Sequence, residues 1–378
     1  MRNFVLMSEA VTAAHPDKLS DQISDAIVDA CLMSDPAVGC IAECALASGV
    51  VFLSVRHGGP LTFDPVGVAR RVLAEEGYAQ PDGEAPTTVI LDLVETPELT
   101  GPVAPSGAVA TRMTTAFGFA CDHTPERMPL PIVCARNICL ELEKAAKAGL
   151  SSWLSADAQA QVAVRFANRR PLNVDGIALG IFAGGDAHPR EEELAAMLRN
   201  GVVDPVMARM NLDLADDVRF SVLTAPGAGG PKAHAGLTGR KTASDFYGGY
   251  ARQSGSALSG KDPSRIDRIA AYAARQAAVS VIAAGLAREC EVQLSYVPGE
   301  PAPASIEVDC FDTALEPEPA ISALLADRCD FSVGAIIERM DLWSLPAASE
   351  AGFYRPLARY GHFGRTDMDL PWDRAAEL

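Results

Sequence analysis

Apolar residues recur at helical spacing through "AAHPDKLSDQISDAIVDACL", where Leu19, Ile23, Ile27 and Ala30, with Ala26 and Cys31 beside them, form one stripe. The pattern predicts an amphipathic helix, and Pro16 sits where a first helical turn tolerates proline. Asp21, Asp25 and Asp29 repeat every four residues and are expected to form its solvated face. "CIAECALASGVVFLSVRH" reads instead as two β-rich halves around Ser48-Gly49, a hairpin. Further strands are predicted at "QAQVAVRFANRR" and "GIALGIFAGG", followed by a helix through "REEELAAMLRNGVV". A long helix from about Ser264 to Ala287 precedes two alternating strands, "CEVQLSYV" and "ASIEVDCF". Mixed order without a regular strand-helix-strand march predicts an α+β protein of several sheet-and-helix units.

Composition narrows the function. A chain of 378 residues that is 48% hydrophobic and 21% charged can bury one large core or two to three smaller ones. Apolar runs such as Val279 to Ala287 stop well short of a bilayer span, and "MRNFVLMSEA" lacks a signal-peptide core. A cytoplasmic protein is expected. Nine cysteines without a CxxC pair indicate neither a zinc site nor a disulfide framework, and read as small buried hydrophobes. A formal charge of −17 argues against nucleic acid or membrane partners, because both reward clustered Lys and Arg. An anionic ligand needs a local basic pocket.

Two stretches offer one. "HPDKLSDQ" places His15, Asp17 and Lys18 at a helix start, where backbone N–H groups and the dipole favour anions; Asp17 there is also ordinary helix-start chemistry. "GLTGRKTASDFYGGYARQSGSALSGKDPSRIDR" gathers Arg240, Lys241, Arg252, Lys261, Arg265 and Arg268 among six glycines. Its composition suits a phosphate cradle. The segment is not a Walker loop, since Asp262 follows Lys261 where that motif needs Ser or Thr. Asp267, just inside the long helix, could hold Mg²⁺, which usually takes one or two carboxylates plus phosphate oxygens.

These residues carry a family resemblance. "SEAVTAAHPDKLSDQISDAIVDA", "GLTGRK", "YGGYAR", "SGKDPSRIDRIAAYAAR", "VIAAGLA" and "YGHFGR" resemble S-adenosylmethionine synthetase, the methionine adenosyltransferase family. The resemblance implies an α+β fold of three similar domains, about residues 3–100, 110–227 and 229–366. It also implies a tight homodimer with two active sites between subunits, which in many members pairs into a tetramer. In the family reaction methionine sulfur attacks C5′ of ATP, and the released triphosphate is then hydrolysed. Carried over position by position, His15 lies by the triphosphate and the C5′ oxygen, and Asp17 and Asp267 hold Mg²⁺. Glu43 binds K⁺, Arg240, Lys241 and Lys261 grip phosphates, Ala257 lies in the nucleotide loop and Asp157 contacts the nucleotide.

Departures cluster on the second substrate. Arg56 stands where the family has a glutamate for the methionine ammonium, Glu95 replaces a glutamine, His234 an aspartate and Arg265 a lysine. Ala225-Pro226 falls on an Arg-Phe pair whose ring stacks on adenine, and Gln159 on a lysine. An acidic glycine-rich signature falls on residues 109–114, with Arg112 in place of its carboxylate. Residues 95–106 correspond to a gating loop, in which Pro102 and Pro105 would restrict φ. The expectation is an enzyme using a Mg–nucleoside triphosphate, ATP first, with changed nucleophile or base specificity. An anionic nucleophile would suit Arg56, Arg112 and His234, although Glu95 could simply pair with Arg56. The alternatives are a true synthetase with a remodelled methionine pocket, and a non-catalytic nucleotide-binding subunit.

Overall fold

The computed structural model describes residues 3–36, 38–78, 88–99, 107–148, 153–184, 189–349 and 351–378. Three hairpins organise it. β2 (Cys40–Ala47) pairs antiparallel with β3 (Val50–His57), β6 (Leu154–Ala167) with β7 (Arg170–Ala183), and β10 (Glu289–Tyr296) with β11 (Ser305–Asp309). Ser48 and Gly49 turn the first hairpin with φ of 47° and 90°, the two positive values a tight twisted turn requires. After two of the hairpins a helical segment crosses over to a parallel edge strand. α2 (Pro65–Glu75) leads to β4 (Thr88–Glu95) beside β3, and α4 (Glu191–Leu198) with α5 (Asp204–Arg209) leads to β8 (Leu214–Pro226) beside β7.

The other edge of each hairpin is filled from elsewhere in the chain. β1 (Asn3–Val11) pairs with β6, β5 (Thr114–Cys121) with β10, and the short β9 (Gly236–Leu237) with β2, all antiparallel. The sheet orders are therefore β4-β3-β2-β9, β1-β6-β7-β8 and β11-β10-β5. The first unit lends a strand to the second, the second to the third, and the third to the first. This α+β architecture of three sheets closes on itself as a cycle.

Three long helices fill the middle: α1 (Pro16–Ser34), α3 (Leu130–Lys147) and α7 (Ile266–Ala283). The last ends earlier than its apolar run suggests, because Gly285 takes φ of 70° and caps it, while the Leu286 amide donates back to Val281 O at 3.1 Å. The predicted helix through residues 190–203 exists but widens into a π-turn over Arg199–Val203 before α5. All nine cysteines are free and buried, as expected of small hydrophobes. Among the described residues no helix is long and apolar enough to cross a membrane.

α1 corrects the sequence reading. Asp21, Asp25 and Asp29 are not solvated; sixteen of the nineteen residues of α1 are buried, these three included. Each carboxylate accepts from the distant third unit. Asp21 takes the Gly239 amide at 2.7 Å and Lys18 Nζ at 2.8 Å. Asp25 takes the Gly260 amide at 2.8 Å and, on both of its oxygens, Arg268 Nη2 at 2.9 Å. Asp29 takes the amides of Phe353, Tyr354 and Arg355. Burial alone would lower the Lys18 ammonium, but Asp21 and Asp245 together hold it above its ordinary value. Replacing Asp25 by Ala strands a fully buried guanidinium, so unfolding by urea should show a loss of about 3–5 kcal/mol. A loss near zero would mean that Arg268 finds another acceptor.

Candidate active site

Lys261 and Asp267 flank the start of α7 and face the outer side of the first sheet. Lys261 Nζ donates to Asp267 Oδ2 at 2.8 Å, Thr114 Oγ1 to Asp267 Oδ1 at 2.8 Å, and Arg112 stands 3.6 Å from the same carboxylate. Burial pulls the Lys261 ammonium below its ordinary value. Burial would raise Asp267, yet Lys261 overcomes it and holds the carboxyl below the usual range. Beside this pair lies a cavity of about 240 Å³ lined by Ile41, Glu43, Ser54, Arg56, Arg112, Lys261 and Arg265. Register explains the lining, since Ile41 lies opposite Arg56 and Glu43 opposite Ser54, so alternate residues of β2 and β3 share one face.

Most cations here are already matched. Arg56 donates to Asp92 Oδ2 at 2.7 Å, a neighbour on β4 that sequence reasoning did not single out. Glu95 lies opposite His57 in the register, on the other face of the sheet. The expected Arg56–Glu95 pair therefore does not form, and Glu95 is not part of this cavity. Arg265 differs from the rest. It is 9% exposed, its Nε has no hydrogen-bond partner, and its guanidinium makes no ion pair among the described residues. Burial lowers it from its ordinary value. A buried, unmatched fork bordering a cavity is built for an incoming anion.

A second cavity, of about 290 Å³, lies at the end of the second sheet and is lined by His15, Asp157, Gln159, Phe182, Leu223, Ala225 and His234, with Ala158, Gly180 and Ile181 behind them. His15 caps α1 by accepting the Asp17 amide on Nδ1 at 3.1 Å. Its proton therefore sits on Nε2, and burial with the Lys241 ammonium pushes its pKa down to about 3. The ring is a neutral donor. Asp17 accepts the Leu237 amide at 3.0 Å and lies 3.1 Å from Lys241 and 3.5 Å from Arg240. Ala257 packs against Gly239, whose position leaves no room for a Cβ. Asp157 accepts from the Gly230 amide at 2.7 Å and from His234 Nε2 at 2.8 Å, and burial raises its carboxyl. Phe182, opposite Ala225 in the register, lays its ring parallel to His234.

The sequence-predicted residues thus fall into two groups in one chain. His15, Asp17, Asp157, His234, Arg240 and Lys241 gather at or beside the second cavity; Glu43, Arg56, Arg112, Lys261, Arg265 and Asp267 gather at the first. No hydrogen bond or ion pair joins the groups among the described residues. The basic stretch also divides: Arg268 is buried on Asp25, and Arg252 pairs with Glu291 and Asp309, so neither belongs to a phosphate cradle. A larger cavity near Glu143, Lys147 and Arg359 has these charges bonded to one another. The expected gate over residues 95–106 lies outside the described residues from residue 100 onward, Pro102 and Pro105 included.

The metal question turns on donor chemistry. Asp17 and Asp267 are each one buried carboxylate between two cations. That set suits Mg²⁺, which completes its octahedron with phosphate oxygens and water. His15, Asp157 and His234 also come within 4.8 Å of one another. His15 fits a metal poorly, because the lone pair on Nδ1 is taken by the Asp17 amide and Nε2 carries the proton.

Comparison with known proteins agrees with this picture. Residues 3–94 match the S-adenosylmethionine synthetase N-terminal domain, 108–226 the central domain and 228–374 the C-terminal domain. The S-adenosylmethionine synthases of Trichormus variabilis and Nostoc punctiforme are each 37% identical, over 99% and 100% of this chain and 95% of each of those proteins. That of a Synechococcus strain is 37% identical over 99% of this chain and 97% of its own length. Fold and site define an enzyme, a transferase of the methionine adenosyltransferase class. The chain belongs to the S-adenosylmethionine synthetase family, whose members bind ATP and metal ions.

Lys261→Met removes the charge that holds Asp267 down. Its carboxyl should then titrate at higher pH in ¹³C NMR. The stability that Asp267 supplies above the ordinary carboxylate range, and loses as pH falls through its depressed value, should shrink accordingly. An unmoved titration would show that Thr114 and Arg112 suffice.

Proposed function

We propose that the protein makes S-adenosylmethionine from ATP and L-methionine, and that one chain's first cavity works with the second cavity of a partner copy. The observation that carries the reading is Arg265. Its unmatched fork suits the carboxylate of an α-amino acid. The charge reversal at Arg56, which alone favours an anionic nucleophile, is neutralised by Asp92. Changed nucleophile specificity is therefore the second reading, resting on Arg112, whose side chain is half exposed at the cavity. A non-catalytic role has less support, because Arg240, Lys241, Lys261, Asp17 and Asp267 are all retained.

On this reading the sulfur lone pair attacks C5′, the C5′–O bond breaks, and its electron pair leaves with the triphosphate. Lys241, Arg240 and Lys261 hold phosphates, and Nε2–H of neutral His15 donates to the departing oxygen, so charge developing there meets preplaced donors. Mg²⁺ at Asp17 and Asp267 would neutralise triphosphate charge, and K⁺ would sit at Glu43, the acidic side chain among those lining the first cavity. The two half-sites call for a homodimer. The sheets' outer faces support it, with Phe52, Ile90 and Val94 on the first sheet and Leu223 on the second exposed, an apolar surface of the kind that marks an interface. Domain limits of 3–100, 110–227 and 229–366 and a cytoplasmic location belong to the same reading.

Incubation with ATP, methionine, Mg²⁺ and K⁺ should yield S-adenosylmethionine and phosphates by mass spectrometry. ATP binding without that product, across methionine concentrations, would favour the second reading. Arg265→Met should raise KM for methionine roughly 10- to 100-fold, the equivalent of a charge-assisted hydrogen bond of about 1.5–3 kcal/mol. A smaller change in KM for ATP is expected alongside it. An equal rise for both would move Arg265 to the phosphates.

A further inference from the structure

Asp157 and His234 form a pair for which attack by a thioether has no use. Asp157 Oδ2 accepts the Gly230 amide at 2.7 Å as well as the bond to His234 Nε2 at 2.8 Å. An oxygen already accepting a backbone N–H is an acceptor, so the shared proton belongs to Nε2 and the lone pair of the neutral ring stays on Nδ1. Nδ1 has no partner among the described residues, and the His234 side chain is one-third exposed where it lines the second cavity. Its ring is braced on two sides, parallel to Phe182 at 5.7 Å and edge-on to His15 at 4.8 Å between centroids. A carboxylate that fixes the tautomer of a braced imidazole lining a cavity, with the second nitrogen unpartnered, is the arrangement of a general base. Methionine sulfur carries no proton to remove.

We propose that Asp157 and His234 serve a protic nucleophile, a thiol, which the same site joins to C5′ of ATP. The proposal rests on the reading above that ATP binds with C5′ beside His15. In the step, His234 Nδ1 takes the S–H proton as sulfur bonds to C5′. The C5′–O bond breaks with its electron pair going to the triphosphate, and the imidazolium then releases its proton to solvent. The product is a neutral thioether rather than a sulfonium. A thiol of ordinary pKa, about 8.5, is mostly protonated at neutral pH, so a positioned base is worth roughly 10²–10⁴ in rate. His234 is the catalytic residue and Asp157 the positioning residue.

The probe is L-homocysteine, methionine without its S-methyl group, incubated with the intact protein, ATP, Mg²⁺ and K⁺ in parallel with methionine. A thioether product should appear by mass spectrometry. His234→Gln and Asp157→Asn should each lower the ratio of thioether to sulfonium product at least tenfold; a merely structural role would lower both products together and leave the ratio alone. Sulfonium from methionine with no thioether from the thiol overturns this proposal and leaves the synthetase reading standing. An unchanged ratio in His234→Gln, with triphosphate hydrolysis lost instead, overturns it in favour of water as the substrate of the base. Failure of both products removes the synthetase reading and this proposal with it.

Discussion

Four carboxylates on one buried helix govern the rest of the molecule. Asp17, Asp21, Asp25 and Asp29 lie a turn apart on α1, and all four accept backbone amides from the third unit of the chain, at Leu237, Gly239, Gly260 and residues 353–355. A buried carboxylate costs several kcal/mol unless its oxygens are bonded. The third unit therefore has one docking register, and slipping it by a residue would strand every rung. Both cavities hang from this ladder. Its first rung, Asp17, borders His15, Arg240 and Lys241, while its third holds Arg268, the neighbour of Asp267 on α7.

The cyclic exchange of strands works in the same direction. β9, which completes the first sheet, runs straight into the Thr238–Lys241 turn, and β5, which completes the third, begins at Thr114, whose hydroxyl bonds Asp267. These two lent strands thus each deliver a site residue to a unit distant in sequence. The exchange also commits the inner faces to α1, α3 and α7, leaving outer faces on which apolar residues and the two cavities open together. On the proposed reading a second copy would cover this surface, bringing the other half of the chemistry together with the apolar contact.

Much of this was legible beforehand. The hairpin at Ser48-Gly49, the helices α1 and α7, and the family announce themselves through turn chemistry, helical period and motif. Asp21, Asp25 and Asp29 were misread because four-residue spacing fits a solvated face as well as a buried ladder, and only the positions of the Gly239 and Gly260 amides decide between them. Arg56 was overread for a related reason: its partner Asp92 sits on a parallel strand more than thirty residues away, and no local pattern predicts that register. Phe182 was missed because an aromatic in a strand reads as core, and nothing local says that it lies opposite Ala225. Arg112, expected from the resemblance at the second substrate, lines the first cavity beside Arg265.

The central claim is that neither cavity acts alone within one chain. Co-expression of two differently tagged inactive variants, Lys241→Ala in the second cavity and Lys261→Ala in the first, tests it directly. In a mixed dimer one site carries both changes and the other carries none. Random pairing makes half the dimers mixed, so the mixture should recover about a quarter of wild-type synthesis. Recovery confined to the doubly tagged fraction would support shared sites. No recovery in a doubly tagged dimer that still binds ATP would contradict them.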